Sequence, residues 1–412
     1  MCQPAVPLPE RGQGLPRPTV GALARAHGPA LLREHALSEA QRKVLHAISI
    51  CRTPVLGGTV DVCPAPGCGF ERVVFHSCRN RHCPSCQSLT QARWVERRRE
   101  RLLPTDYFHV VFTVPDALLA PIALRNRALF FNALFETGSE TLLALGKDPK
   151  RLGAQLGITA VLHTWTRDLL FHPHLHCIVT GGGLTDDGTE WKSTRQDYLF
   201  PVNVLSDLFR GKLLAKLDAA RDAGWLNLDG IEGFEDPKKS DGAWHKLRKL
   251  LCEKRWVSYA KPPFGGAEEV YAYLGLYTHR VGISNQRLLS ATDEAVTFRT
   301  RGDKTATLHP VAFLHRFLQH VLPRRFVKLR HYGLLASSNV NGRLSMAKLL
   351  LEAQPLNDDD APAPESPAQL PPADDWRALL LRLTGLDLSR CPRCGGPLVS
   401  RLLAPTRAKD TS

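Results

Sequence analysis

Three histidines fall within five residues in the run Phe171-His172-Pro173-His174-Leu175-His176-Cys177-Ile178-Val179. Alternate residues of a strand share a face. His174 and His176 therefore point one way, and Leu175 and Cys177 point into the opposite layer. Two neighbouring imidazoles are a ready pair of metal ligands, but they do not complete a site. His163, on the preceding apolar segment, is the first candidate for a third ligand. Asp168, His172 and a side chain from a tyrosine-rich segment further on are the others, and the spacing does not choose among them.

That later segment, Val270-Tyr271-Ala272-Tyr273-Leu274-Gly275-Leu276-Tyr277-Thr278-His279-Arg280, holds three of the seven tyrosines. On a helix, Tyr273 and Tyr277 stack at i and i+4. A phenolate can attack a phosphodiester, and a metal can polarise the phosphate oxygens it attacks. His279 and Arg280 would add positive charge there. Taken alone, a tyrosine pair at this spacing is a packing feature. The histidine motif is what makes it a candidate for catalysis.

The chain has 11 cysteines, and its first 28 residues carry no secretory h-region, so export is not expected and paired cysteines argue for metal rather than disulfides. Cys63 and Cys68 form one pair and Cys83 and Cys86 another, a set suited to tetrahedral Zn²⁺ in a structural role. Cys78 is an alternative ligand, and His76 and His82 also lie between the pairs. Cys391 and Cys394 read as half of a second finger, degenerate or truncated, and Cys51 reads as isolated.

Around these residues, the segments 157–165 and 174–180 read as two strands of an antiparallel hairpin, with Gly181-Gly182-Gly183 ending the second. Phe108 to Pro115 is a further strand. Helical patterns cover 117–145, 204–224 and 243–253, and 294–300 reads as a strand. Ser38 and Gln41 have capping-box spacing ahead of Val44, Leu45 and Ile48. Mixed helices and hairpin-linked strands predict an α+β fold. The expected divisions are a flexible leader (1–34), a zinc-binding domain with a basic helix (35–100), a catalytic domain (104–340), a disordered Pro/Ala/Asp-rich linker (353–375) and a C-terminal helix with a half knuckle (376–412).

With 54 Lys+Arg against 40 Asp+Glu, the net charge is +14, which favours a polyanionic partner. Arg79, Arg81, Arg97 and Arg98 beside the cysteine module are candidate DNA contacts. No apolar run is long enough to span a membrane, and no phosphate-binding loop of the GxxxxGK[ST] type is present. The expected location is the cytoplasm.

Taken in order, Ser77 to Gln87, His163 to Trp165, His172 to Gly182, Tyr273 to Leu288 and Lys328 to Gly333 resemble the HUH-nuclease, two-tyrosine rolling-circle transposases of bacterial insertion sequences, the insertion-sequence-91 family. The resemblance spans roughly residues 35 to 340. It implies an antiparallel-sheet catalytic domain behind a zinc-binding domain. It implies Mg²⁺ or Mn²⁺ at His174 and His176, Tyr273 and Tyr277 as nucleophiles, and a 5′-phosphotyrosine intermediate on single-stranded DNA at transposon ends and target sites. Competing expectations are a decayed zinc-finger DNA-binding protein and a water-using metallohydrolase.

Overall fold

The computed structural model describes residues 17–86, 101–261 apart from Gln196, 269, 282–353, 380–381 and 385–406. Its centre is an antiparallel sheet. Strands β3 (Tyr107–Thr113), β4 (Gln155–Trp165) and β5 (Phe171–Leu184) form the middle, with β5 between the other two. Strand β6 (Trp191–Ser193) adds to the far end of β5, β7 (Ser258–Lys261) extends the β3 edge and β11 (Leu329–Gly333) the β4 edge. Strands and helices are interspersed, and the fold is α+β as expected.

One face of this sheet is covered by helices α3 (Asp116–Arg125), α4 (Arg127–Lys147) and α5 (Val202–Asp222), with α6 (Ser240–Glu253) beyond them. The alternate residues Phe108, Val110 and Phe112 of β3 and Leu175, Cys177 and Val179 of β5 enter this core beside Phe131, Leu134, Phe135 and Phe209. Helix α4 lies close behind β5, because Gly138 has no side chain. A Cβ there would stand 2.6 Å from Leu175 Cδ2.

A second core joins the N-terminal helices to a distant part of the chain. Helix α1 (Val20–Glu34) and α2 (Glu39–Ser49) pack with α7 (Pro310–Leu318) and a small sheet, β8 (Leu288–Ala291), β9 (Val296–Arg299) and β10 (Thr305–Leu308). Val20, Leu23, Leu31, Val44, Leu45 and Ile48 meet Phe298, Phe313, Phe317 and Leu318. The expected flexible leader is thus corrected over its second half. Thr19 caps α1 by accepting the Ala22 amide, and the apolar stripe Val20, Leu23, Leu31 is buried. The capping box at Ser38 forms, with the Ser38 and Gln41 side chains each accepting the other's amide.

Two further details differ from the sequence expectation. Gly181 to Gly183 do not end β5, which runs on to Leu184. The glycines let neighbouring backbone approach: a Cβ on Gly182 would lie 2.6 Å from the Lys192 carbonyl, and one on Gly183 2.6 Å from the Gln155 carbonyl. The C-terminal segment is not an appendage either. Strand β12 (Val399–Leu403) pairs along the whole of β1 (Gly58–Val62), which also pairs with β2 (Glu71–Phe75). Helix α8 (Arg343–Glu352) packs by Leu344 and Ala347 against Leu184 and Trp191. Among the described residues no helix is long and apolar enough to cross a membrane. The linker expected at 353–375 lies outside the described residues except for Ala353.

Candidate metal centre

The face of the sheet opposite the helices carries the histidines. Register pairs His163 with His174 across β4 and β5, and Val161 with His176. Because side chains alternate along each strand, His163, His174 and His176 emerge on the same side, away from Leu175 and Cys177. One ring nitrogen from each lies within 4.8 Å of the others. The ring centroids are 4.4 Å apart for His163 and His176, 4.8 Å for His174 and His176 and 5.5 Å for His163 and His174. Of the other third-ligand candidates, His172 turns its Nδ1 to Asp116 Oδ2 at 3.0 Å, and Asp168 is exposed in the β4–β5 turn.

The surroundings of the trio set which nitrogens are available. His174 Nδ1–H donates to the His172 carbonyl at 2.7 Å, so Nε2 carries the lone pair. His176 Nδ1 lies 2.8 Å from Nε2 of His109, a buried residue of β3. His109 was not singled out in the sequence. The available signal was a lone polar residue at an alternate position of an apolar strand, one place diagonal to His176 in the register. Burial holds His109 and His174 down at about 4, and it holds His176 well below the ordinary histidine value. These imidazoles are therefore neutral at pH 7, the form that binds metal.

Trp165 stacks on His163 at 4.6 Å, and Lys328 Nζ sits 5.3 Å over the Trp165 ring. Burial and the Arg81 guanidinium push Lys328 down to about 7. Arg81, a candidate DNA contact, donates to the carbonyls of Pro323 (3.0 Å) and Phe326 (2.5 Å). Those bonds tie the cysteine module to the loop before β11. Arg79 is exposed and left-handed, at φ 52°. Tyr273, Tyr277, His279, Arg280, Arg97 and Arg98 lie outside the described residues.

The cysteines assemble differently from the single expected set. Cys51, Cys78, Cys83 and Cys86 form one cluster, and Cys63, Cys68, Cys391 and Cys394 another. The reason is the β1–β2 hairpin. Cys63 and Cys68 sit at its tip, while Cys51 and Cys78 lie past its open end. Five residues of strand span about 15 Å, so one ion cannot take thiolates from Cys63 and Cys68 as well as Cys83 and Cys86. Cys78 joins the latter pair, and Cys51, read as isolated, completes the four. Its Sγ stands 3.4 Å from Cys86 and 3.6 Å from Cys83, and Cys78 stands 3.7 Å from Cys86. A tetrahedral ion with bonds of about 2.3 Å separates its sulfurs by about 3.8 Å, so this donor set fits structural Zn²⁺. His82 is not in the cluster, and its Nε2 accepts the Leu322 amide at 3.2 Å.

Comparison with known proteins places the histidine strands and the cysteine module in two matched segments. A family profile described as "Putative transposase" matches residues 157–342, and one described as "Transposase zinc-binding domain" matches residues 23–114. The chain is 43% identical over 410 residues to a protein of Sinorhizobium fredii (strain NBRC 101917 / NGR234) named as a "Putative transposase", covering 96% of this chain and 99% of that one. It is 28% identical over 320 residues to the transposase for insertion sequence element IS801 of Pseudomonas savastanoi pv. phaseolicola, covering 74% of this chain and 73% of that protein. No solved structure gives a significant match. The chain belongs to the insertion-sequence-91 family of transposases, DNA-processing enzymes with an N-terminal zinc-binding domain.

Proposed function

We propose that this transposase nicks and rejoins single-stranded DNA at insertion-sequence ends by metal-assisted tyrosine attack, as in rolling-circle transposition. The observation that carries the reading is the trio His163, His174 and His176. Three imidazole nitrogens converge within 4.8 Å on the face of the central strands opposite helices α3, α4 and α5. This donor set fits a divalent ion. Imidazole suits Mn²⁺ better than Mg²⁺, whose preference is for oxygen ligands, and phosphate oxygens of bound DNA would supply those. When bound, the ion would draw charge from the scissile phosphate.

The chain's own residues would do the rest. His174 and His176, neutral at pH 7, hold their positions through His172 and His109. Tyr273 or Tyr277, as a phenolate, attacks phosphorus. The bond to the 3′-oxygen breaks, that oxygen leaves with the electron pair and takes a proton, and the 5′-phosphate stays on the tyrosine. The freed 3′-hydroxyl, or that of a target strand, reverses the step without loss of the bond energy. The second tyrosine would permit strand transfer between two such intermediates. Arg79, Arg97, Arg98, His279 and Arg280 would engage phosphates along the strand. The work would take place on bacterial DNA in the cytoplasm.

The test is cleavage of oligonucleotides from the element's own ends in Mn²⁺. The wild type should cut, while His174→Ala/His176→Ala and Tyr273→Phe/Tyr277→Phe should not. Cutting that survives the tyrosine changes would mean water is the nucleophile. Salt-dependent DNA binding without cutting would mean a DNA-binding protein only.

A further inference from the structure

The second cysteine cluster is assembled from the two ends of the chain. Cys63 Sγ lies 3.4 Å from Cys394 Sγ, and Cys68 Sγ lies 3.5 Å from Cys391 Sγ. Some 320 residues separate the members of each couple, and Cys391 and Cys394 fall beyond the matched zinc-binding segment 23–114. These separations are too long for a disulfide, at about 2.05 Å, and close to the roughly 3.8 Å between thiolates on a tetrahedral ion.

The backbone on both sides is built for such a site. In the Cys63–Cys68 loop the Cys63 amide donates to the Phe70 carbonyl and the Cys68 amide to the Ala65 carbonyl. The loop turns through left-handed Gly67 (φ 75°) and Gly69 (φ 58°), which only glycine adopts at little cost. Opposite it, the Arg393 amide points at Cys391 Sγ at 3.4 Å, and the chain turns at Gly395 (φ 74°). Arg393 then reaches across to the Cys68 carbonyl at 3.1 Å. The two knuckles sit at one end of the β12–β1–β2 sheet. Asp61, only 7% exposed, accepts from Arg72 of β2 and from Ser400 of β12, which locks all three strands.

We propose that Cys63, Cys68, Cys391 and Cys394 bind a second zinc ion, which clasps the C-terminal ribbon to the N-terminal module. The site is separate from the Cys51 cluster and does not depend on the nuclease reading. Its thiolates hold the metal, and its consequence is structural. With the ion bound, the knuckle at Cys391–Cys394 anchors the strand Val399–Leu403 in the N-terminal sheet. Without it, that ribbon loses the ligands that fix its register. Each cluster has two buried cysteines, but Cys394 is exposed where Cys78 and Cys86 are half-buried, so the clasp should yield its metal first.

The experiment uses full-length protein purified with zinc. Metal content is measured by mass spectrometry, and thiolate ligation by the charge-transfer absorption of the Co²⁺-substituted form. The expected result is two thiolate-bound ions per chain, one of them removed faster by chelator. Cys391→Ser/Cys394→Ser should keep one ion, lose about half of the charge-transfer intensity and expose Arg390, Arg393 and Arg401 to trypsin several-fold faster. One thiolate-bound ion in the wild type, two retained in the double variant, or disulfides between the same cysteines in zinc-replete protein would each overturn the proposal. The wild-type count stands even if the variant fails to fold.

Discussion

His109 gives a sharp test of how the histidine centre is held. For His176 to offer Nε2 to a metal, its Nδ1 must carry the proton and donate to Nε2 of His109 at 2.8 Å. His109 can accept because burial keeps it neutral, at about 4. The two rings lie parallel, 5.1 Å apart and 5° from coplanar orientation. His109→Phe keeps the ring and removes the acceptor, so His176 is free to rotate and to take the other tautomer. Loss of an orienting partner of this kind weakens metal binding by about 10- to 100-fold, or roughly 1.4–2.8 kcal/mol. The assay is Mn²⁺ titration of metal-free protein at pH 7.5 by calorimetry, beside urea unfolding without metal. Affinity should fall by that factor while metal-free stability changes by no more than about 1.5 kcal/mol, the net worth of one hydrogen bond. His109→Gln, which retains an acceptor oxygen, should recover part of the loss. Unchanged Mn²⁺ affinity in His109→Phe, with binding abolished in His174→Ala, would refute the positioning argument.

Three other outcomes follow from the packing. Gly333→Ala should cost about 3 kcal/mol or more and lower Tm by about 6–12 °C, since Gly333 is left-handed at φ 58° and its Cβ would lie 1.9 Å from the Leu156 carbonyl; a wild-type Tm would show that β11 has room to move. Gly138→Val should cost about 1–3 kcal/mol by driving α4 into Leu175, the residue between His174 and His176; calorimetry should also find weaker Mn²⁺ binding, and unaltered urea unfolding would contradict the close packing. His320 is buried with Nε2–H donating to the Leu169 carbonyl and Nδ1 facing the Thr164 hydroxyl, and burial lowers it from 6.5 to about 3. The unfolded chain therefore binds a proton there before the folded one does. Stability is full above about pH 6.5 and falls as the pH drops toward 3, at about 1.4 kcal/mol per pH unit for each such group. His320→Asn should flatten urea midpoints measured from pH 7 to 4, and an unaltered pH slope would remove His320 as the cause.

What the sequence discloses here is local. The alternation of His174, Leu175 and His176 is enough to orient the pair, and Ser38 with Gln41 marks a helix start, because both patterns act within a turn or a strand. The partners of Cys63 and Cys68 are more than 300 residues away, and the pairing of β12 with β1 that brings them together has no spacing to read. Cys51 escaped for the same reason, since it precedes the hairpin whose far strand leads to Cys78. Gly181 to Gly183 resemble a strand end because glycine usually weakens strands, whereas here they admit the backbone of β4 and β6. Helix α1 was obscured by its position after a Pro/Gly-rich stretch, with Pro29 inside it, although its buried stripe is present in the sequence.

The proposed chemistry joins Tyr273 or Tyr277 to DNA with the help of a histidine-held ion. It is tested most directly by incubating the protein with Mn²⁺ and single-stranded oligonucleotides from its own element ends, then mapping any protein–DNA adduct by mass spectrometry. The expected product is a peptide carrying a 5′-phosphonucleotide on Tyr273 or Tyr277, absent without metal and absent in His174→Ala/His176→Ala. Cleaved DNA with no adduct, or no adduct on any end sequence, would contradict it.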